Sequence, residues 1–376
     1  MPWSDALAGV PDLVALGLGA TREALDLLLA SEAAESHSAK TRLRLAVADV
    51  SAIAPEHFGV NIPTLDECVD PYGWRWVVRA PLSLGVTHLG RAVGASATKA
   101  DLLRYYLAVA PYLLRAIAGR PLVLRRHTDA GERGTFYQQH VNAEPPDGVR
   151  TARVDGDTKP RFVGGGLVTL LYHVQLGAVS MDPWHGRADA PELVDYAIID
   201  LDPGPEAPFA RVVDVARWVH DELLTLGLAS LPKTSGASGI HVVVPLPSDT
   251  TADAARLLSE LVATQVAARH RHAATVVRAV RERPSASVYV DYLQNIAGKT
   301  VASVYSARAT PTLTVSTPLN WEEVTPALDP GDWNIRTVPE RIARVGDLWA
   351  DAMQRGNDLE ALRRVLHTSH AAGGRR

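Results

Sequence analysis

Asp200 and Asp202 close the apolar run Tyr196-Ala197-Ile198-Ile199, and Asp291 closes a second run, Ser287-Val288-Tyr289-Val290. Residues two apart on a strand share a face, so the Asp200 and Asp202 carboxylates should project side by side. Two carboxylates that close repel unless a proton or a cation lies between them. A third aspartate from a neighbouring strand would complete an oxygen cluster suited to Mg²⁺ or Mn²⁺. Paired hard cations of this kind clamp the attacking and leaving oxygens in nucleotidyl transfer. The structural alternative is that Asp200 and Asp202 only lead into the turn Asp202-Pro203-Gly204-Pro205 after a buried strand.

A second segment, Lys233-Thr234-Ser235-Gly236-Ala237-Ser238-Gly239-Ile240-His241, places two glycines among small hydroxyl residues. Such a turn can expose backbone N–H groups as a nest for phosphate. No Gly-Lys-Ser/Thr triplet closes it, so it is not a P-loop. Just beyond Asp291 come Gln294, Gly298-Lys299-Thr300 and Tyr305-Ser306-Ala307-Arg308. A lysine and an arginine near a carboxylate cluster can neutralise a triphosphate. Phe136-Tyr137 could stack on a base. Arg115, Arg120, Arg125 and Arg126, then Arg269, Arg271, Arg278, Arg281 and Arg283, permit a basic groove on a chain of net charge −4. For each of these residues taken singly, solvated surface or ordinary core is the competing reading.

The elements that must position these residues follow from periodicity. Thr98 caps an expected helix running through Leu102, Leu103, Tyr106, Leu107, Ala110, Leu113, Leu114 and Ile117, with Gly119 as the stop. Strands are expected at 121–125, 196–201, 240–246, 288–291 and 301–306. Further helices are expected at 167–176, 209–226 and 252–271, the first entered through Gly164-Gly165-Gly166. Nearer the N-terminus, Thr21-Arg22-Glu23 reads as a helix start. Mixed strands and helices in this order define an α+β sheet protein.

The 376 residues are 47% hydrophobic and 21% charged. That balance fits a globular protein of one large or two ordinary domains. A single cysteine, Cys68, excludes an intramolecular disulfide framework and a thiolate-rich zinc site. No apolar stretch approaches the roughly 20 residues that span a bilayer, and the first residues lack a signal-peptide pattern. No membrane partner is expected, and the expected location is cytoplasmic, on the nucleoid when DNA is bound.

Taken together, the ordered motifs resemble the polymerase domain of bacterial DNA ligase D, in the archaeo-eukaryotic primase superfamily. The resemblance runs from about Val86 to Trp349. It is carried by Thr98-Lys99-Ala100-Asp101-Leu102, Gly119-Arg120-Pro121, Phe136-Tyr137-Gln138-Gln139-His140, Asp182-Pro183-Trp184 and Asp200-Leu201-Asp202-Pro203. It continues through Thr234-Ser235-Gly236, Gly239-Ile240-His241, Asp291-Tyr292-Leu293-Gln294-Asn295, Gly298-Lys299-Thr300 and Val315-Ser316-Thr317-Pro318-Leu319.

The resemblance implies a primase-type fold with an RRM-like β-sheet flanked by helices, and Asp200, Asp202 and Asp291 as ligands of two Mn²⁺ or Mg²⁺ ions. Ser235, His241, Gln294 and Arg308 match positions lining a nucleotide pocket, with Lys299 nearby. Lys99 matches a lysine that grips the 5′-phosphate of a DNA gap, and Phe136 or Tyr137 an aromatic that stacks on the template. The implied reaction is template-directed addition of ribo- or deoxynucleotides (NTP or dNTP) at DNA gaps or ends, in end joining or gap filling.

Two departures stand out: the family usually has Lys at Ser238 and His at Asp182. Each exchange would weaken triphosphate binding by about 1–3 kcal/mol, with Lys233 or Lys299 as compensation. Arg91 stands where the family has a second phosphate-gripping lysine. The expected organisation is an extension over 1–80, the polymerase-like domain over 81–349, and a helix and flexible tail over 350–376. A stand-alone polymerase is expected, partnering a separate DNA ligase and a Ku-like protein. The rival is a DNA-end-binding module with little turnover.

Overall fold

The structure, a computed structural model, describes residues 10–35, 43–54, 66–127, 135–154 and 156–358. The loop from Gly131 to Gly134 and the tail from Ala371 lie outside the described residues.

The first helix, α1 (Asp12–Glu35), runs straight through Thr21 instead of starting there. The Thr21 hydroxyl donates to the Gly17 carbonyl at 3.0 Å and accepts from Ala48 N–H at 2.9 Å, so it ties the helix to a strand. That strand, β1 (Leu43–Ile53), pairs antiparallel with β3 (Arg75–Val86), and β2 (Asp66–Val69) lies on the other side of β3. The boundary expected near residue 80 therefore falls inside β3. Val14, Leu18, Val47, Val50, Trp76 and Leu84 pack in the same core as the next helix, so this region shares the main body's hydrophobic centre.

A short ribbon, β4 (Ala92–Val93) and β5 (Ala97–Thr98), leads into α2 (Lys99–Ile117). Its start is a capping box, which satisfies two otherwise orphaned backbone donors. Thr98 Oγ1 accepts from Asp101 N–H at 3.2 Å, and the Asp101 carboxylate accepts from Thr98 N–H at 2.8 Å. The helix is buried on nearly every side. β6 (Leu122–His127) follows and pairs with β7 (Thr135–Gln138). A two-stranded ribbon, β8 (Thr151–Ala152) with β9 (Arg161–Phe162), precedes α3 (Leu167–Gln175). The glycines before α3 are needed for contact: a Cβ at Gly164 would stand 2.3 Å from the Ile117 carbonyl oxygen. β10 (Asp182–Pro183) adds to the free side of β6.

The central sheet has six strands. β11 (Gly186–Arg187) and the long β12 (Ala190–Pro203) lead to α4 (Phe209–Thr225), then β13 (Leu231–Thr234), β14 (Ile240–Thr251), α5 (Ala252–Arg269), β15 (Ala274–Thr275) and β16 (Val288–Asp291). The order is β13-β14-β12-β16-β15, with β11 on the start of β12, and only β15 and β16 run parallel. Both faces are buried. Ala197, Ile199 and Leu201 pack with α4 and α5, whereas Tyr196 and Ile198 join the core built on α1, α2 and α3. This explains why β12 reads as a continuous apolar run.

Residues 301–306, expected as a strand, are irregular. Their backbone groups bond to several elements instead of one ladder: Ser303 N–H to Met181, Tyr305 N–H to Ser316 at 2.7 Å, and Ala302 C=O to the Lys233 ammonium. Tyr305 takes a φ of 62° to do so. That is the left-handed region, which few non-glycine residues enter. Two short helices, α6 (Val338–Val345) and α7 (Leu348–Arg355), complete the described chain. No described helix is long and apolar enough to cross a membrane.

Candidate active site

Alternation along the central strands puts one row of side chains on the face away from α4 and α5. Lys233 pairs with His241, His241 with Asp200, and Asp200 with Asp291, so four strands contribute one residue each at the same level. Asp202, two residues on, lies opposite Tyr289. The three aspartates therefore share a face, as their spacing implied.

Their electrostatics are those of crowded acids. Burial pushes the Asp200 carboxyl up to about 6, against the charges of Lys233 and Arg308. Asp202 reaches solvent on one side, yet desolvation by the surrounding protein, followed by repulsion from Asp200 and Asp291, lifts it to about 7. Asp291 is raised by burial too. It accepts from Leu293 N–H at 2.8 Å, Tyr289 O–H at 3.3 Å and Gln294 Nε2 at 3.2 Å. Gln294, expected in a nucleotide pocket, is thus engaged with the carboxylates.

Such a set suits a hard divalent cation, being all carboxylate oxygen and electrostatically short of positive charge. Among the described residues, no three His, Cys, Asp or Glu side chains are gathered as a ready-made metal cage.

Several expected contacts are placed differently. His241 is 4% exposed, with Nδ1 2.7 Å from the Lys233 ammonium and Nε2 3.3 Å from Asp200 Oδ1. Lys233 is 1% exposed and also donates to Ala302 C=O at 2.9 Å and Ser316 Oγ at 2.7 Å. It is buried beneath the site and does not stand in for a cation at the exposed Ser238. The expected nest is partly closed: Ser235 Oγ accepts from Ala237 N–H at 3.1 Å and Gly239 N–H at 3.0 Å. Gly236 is obligatory, since a Cβ there would lie 2.6 Å from Arg308 Cγ and 2.9 Å from Ser316 N.

The charge of Arg308 acts on Asp182, Asp200, Lys233 and His241. Asp182 sits in that field on β10. One oxygen accepts from Ser180 Oγ at 2.8 Å, and the other is buried without a hydrogen-bond partner among the described residues. Burial raises its pKa.

Lys99 is 2% exposed, its ammonium held by Thr87 C=O at 2.8 Å and Gln175 Oε1 at 2.5 Å. Phe136 and Tyr137 are 43% and 65% exposed, unusual for large aromatics. They alternate on β7, so they face opposite ways. Arg126 lies 5.0 Å from the Phe136 ring centroid. Lys299 is exposed, near Trp184 through the Trp184–Thr300 bridge.

The first arginine cluster is largely internal. Arg115 pairs with Asp70 and Asp347, and Arg120 with Asp195. From the second, Arg283 turns inward, 3.5 Å from the Tyr289 ring centroid and close enough to act on Asp202 and Asp291. Sequence reading grouped it with the arginines of a possible basic groove, because nothing local marks which arginine folds back. His185 is a core histidine tilted at 42° to the Tyr196 ring, 5.2 Å between centroids.

A mixed sheet presenting acids on the face opposite its covering helices is the frame of the archaeo-eukaryotic primase fold. The solved polymerase domain from Mycobacterium tuberculosis Ligase D, in complex with DNA, matches with a TM-score of 0.66 and 27% identity, covering 73% of this chain and 99% of that one. The family model for the LigD primase-polymerase domain matches residues 98–349. The chain belongs to this family.

The multifunctional non-homologous end joining protein LigD of Pseudomonas aeruginosa is 30% identical over 298 residues, 76% of this chain and 35% of that protein. The bifunctional non-homologous end joining protein LigD of Bacillus subtilis is 31% identical over 273 residues, 72% of this chain and 44% of that protein. The chain thus spans less than half the length of these relatives.

Proposed function

We propose that this chain is a template-directed nucleotidyltransferase that fills short gaps or extends ends in DNA during non-homologous end joining. The observation that carries the reading is the row Asp200–Asp291 with Asp202 beside it, three raised carboxylates on one sheet face. Asp200, Asp202 and Asp291 would hold Mn²⁺ or Mg²⁺, which supplies Lewis acidity toward a 3′-hydroxyl and an α-phosphate when bound. Arg308 offers charge to the triphosphate, Lys299 a second cation at the rim, and Ser235 shapes the loop against which the nucleotide rests. His241 and Gln294 act on the carboxylates. Phe136 and Tyr137 offer stacking surfaces to a template. A separate ligase and a Ku-like protein are the partners this role calls for.

A second reading, a DNA-end-binding module with little turnover, is favoured by Asp182 beside Arg308, a carboxylate in the field of the triphosphate cation. One assay separates the two: extension of a labelled primer on a one-nucleotide gap with Mn²⁺, using ribo- and deoxynucleotides, beside the Asp200→Ala/Asp202→Ala double variant. Extension by the native chain that disappears in the variant, with gapped-DNA binding kept, is the expected result. Binding without extension in both would establish the module instead.

A further inference from the structure

Arg150 is anchored by its backbone and left without a partner at its charged end. It stands just before β8, where its N–H donates to Thr169 Oγ1 at 2.8 Å and its C=O accepts from Val163 N–H at 3.0 Å. Its side chain crosses the glycine run before α3. A Cβ at Gly166 would lie 3.0 Å from Arg150 Cδ, and one at Gly165 3.2 Å from Nη1. Those glycines make room for a cation. The guanidinium donates no hydrogen bond among the described residues, and Nη1 is shut off from solvent. Nε and Nη2, equally unpartnered, are not closed off. Their parallel N–H bonds form the fork that takes an oxyanion at two points.

A guanidinium keeps its charge even when desolvated, so it calls for a counter-ion. Asp49 is the acid whose charge acts on Arg150, but Asp49 pairs with Arg79 at 3.3 Å, and Arg79 repels Arg150. Arg150 instead lines a cavity of about 390 Å³ with Arg153, Arg187 and Asp189. That volume is within the range of small-ligand sites. Ile53, Ala118 and Val163 give the same cavity an apolar wall. Behind it, Asp195 serves two guanidinium groups, Arg120 at 2.5 Å and Arg187 at 2.9 Å. Four arginines thus stand with two acids, Asp189 and Asp195, a surplus of two positive charges. A phosphate monoester dianion matches that surplus, whereas a carboxylate would neutralise half of it. Asp189 precedes β12 and Asp200 stands near its other end, about 30 Å away at strand spacing. The cavity is therefore separate from the carboxylate face.

We propose that this cavity binds a small phosphate monoester, with the phosphate on Arg150 and the apolar body against Ile53, Ala118 and Val163. The site needs neither the metal nor the polymerase reaction, so it stands or falls independently of the proposed function.

The test is ¹H–¹⁵N correlation of the full chain near neutral pH, titrated with phenyl phosphate. Two signals report: the Arg150 Nε–H, identified by its loss in Arg150→Lys, and the Gly119 backbone amide, which needs no variant at Arg150. Both should shift and saturate at millimolar phenyl phosphate. Inorganic phosphate, which lacks the apolar body, and benzoate, which carries one charge, should each bind more weakly. Arg150→Met should weaken phenyl phosphate binding tenfold or more, read on Gly119, with gapped-DNA affinity unchanged. Native signals that do not move overturn the proposal, even if the Arg150 variants fail to fold. Benzoate binding as tightly as phenyl phosphate overturns the choice of a phosphate. An unchanged Gly119 titration in folded Arg150→Met overturns the role of Arg150. Gapped-DNA affinity that falls as far as phenyl phosphate affinity in that variant would assign the site to the DNA backbone, and also overturn the proposal.

Discussion

The Lys99 ammonium is held by neutral acceptors, Thr87 C=O and Gln175, and its pKa falls to about 7 through burial and then the charge of Arg91. Arg125 and Arg91 in turn lower His127 after its own desolvation, so positive charge accumulates on this side of α2. A buried cation beside other cations lacks a counter-charge, and a phosphate dianion would supply one. Lys99→Met should therefore weaken binding to gapped DNA carrying a 5′-phosphate by about tenfold or more, and leave gaps without that phosphate much less affected. Fluorescence anisotropy with the two DNAs checks this. Equal loss on both would make Lys99 a purely structural anchor between α2 and the Thr87–Gln175 pair.

At the scale of elements, the joint that matters is Arg115 on α2. Its guanidinium lies 2.6 Å from Asp70, at the start of the turn before β3, and 2.6 Å from Asp347, the N-cap of α7. Asp347 also accepts from Tyr305 O–H at 2.7 Å, and Asp70 from Trp76 Nε1 at 3.0 Å. Three distant parts of the chain thus meet at one buried cation. Removing it would leave two buried carboxylates facing each other. Arg115→Met should cost about 3–5 kcal/mol of stability, read as a lower urea midpoint with an unchanged slope. Adding Asp70→Asn and Asp347→Asn should restore part of the loss. A midpoint unmoved by Arg115→Met would mean the joint carries no weight.

Across the whole molecule, stability should depend on acidity through core histidines. His173 is fully buried without hydrogen-bond partners among the described residues, and burial lowers its pKa to about 3. His185 is lowered to about 3 as well, by burial and then by the Arg120 charge. In the unfolded chain a histidine titrates near 6.5. Above that value both states are neutral and stability is fully present. As pH falls toward 3 the unfolded state gains protons the folded state refuses, so stability is lost across that window. The part of Tm that these two histidines set should fall from about pH 6.5 downward, opposed by Asp200 and Asp202, whose raised carboxyls take up protons first in the folded state. The fall should be less steep in His173→Phe, which keeps the contact with Phe162. Identical slopes for the two proteins would show that His173 is not a source of the loss.

Local chemistry made part of this legible in the chain itself. The Thr98 cap, the helical periods of α2, α4 and α5, and the apolar runs ending in Asp200 and Asp291 are short-range signals, and the structure places elements there. The order of motifs also pointed to the family. The side-by-side placement of Asp200 and Asp202 needed only the two-residue period of a strand. What tertiary structure alone decided was which residues stand across from them. Strand register set Lys233 and His241 in line with Asp200 and turned them inward, where sequence reading had put them against a nucleotide. Residues 301–306 lost their expected strand because their hydrogen-bond partners lie on several elements. Arg115 and Arg120 became internal ties because their acidic partners come from far along the chain. Local spacing fixes a side chain's face, whereas burial and ion pairing depend on what the rest of the chain brings to that face.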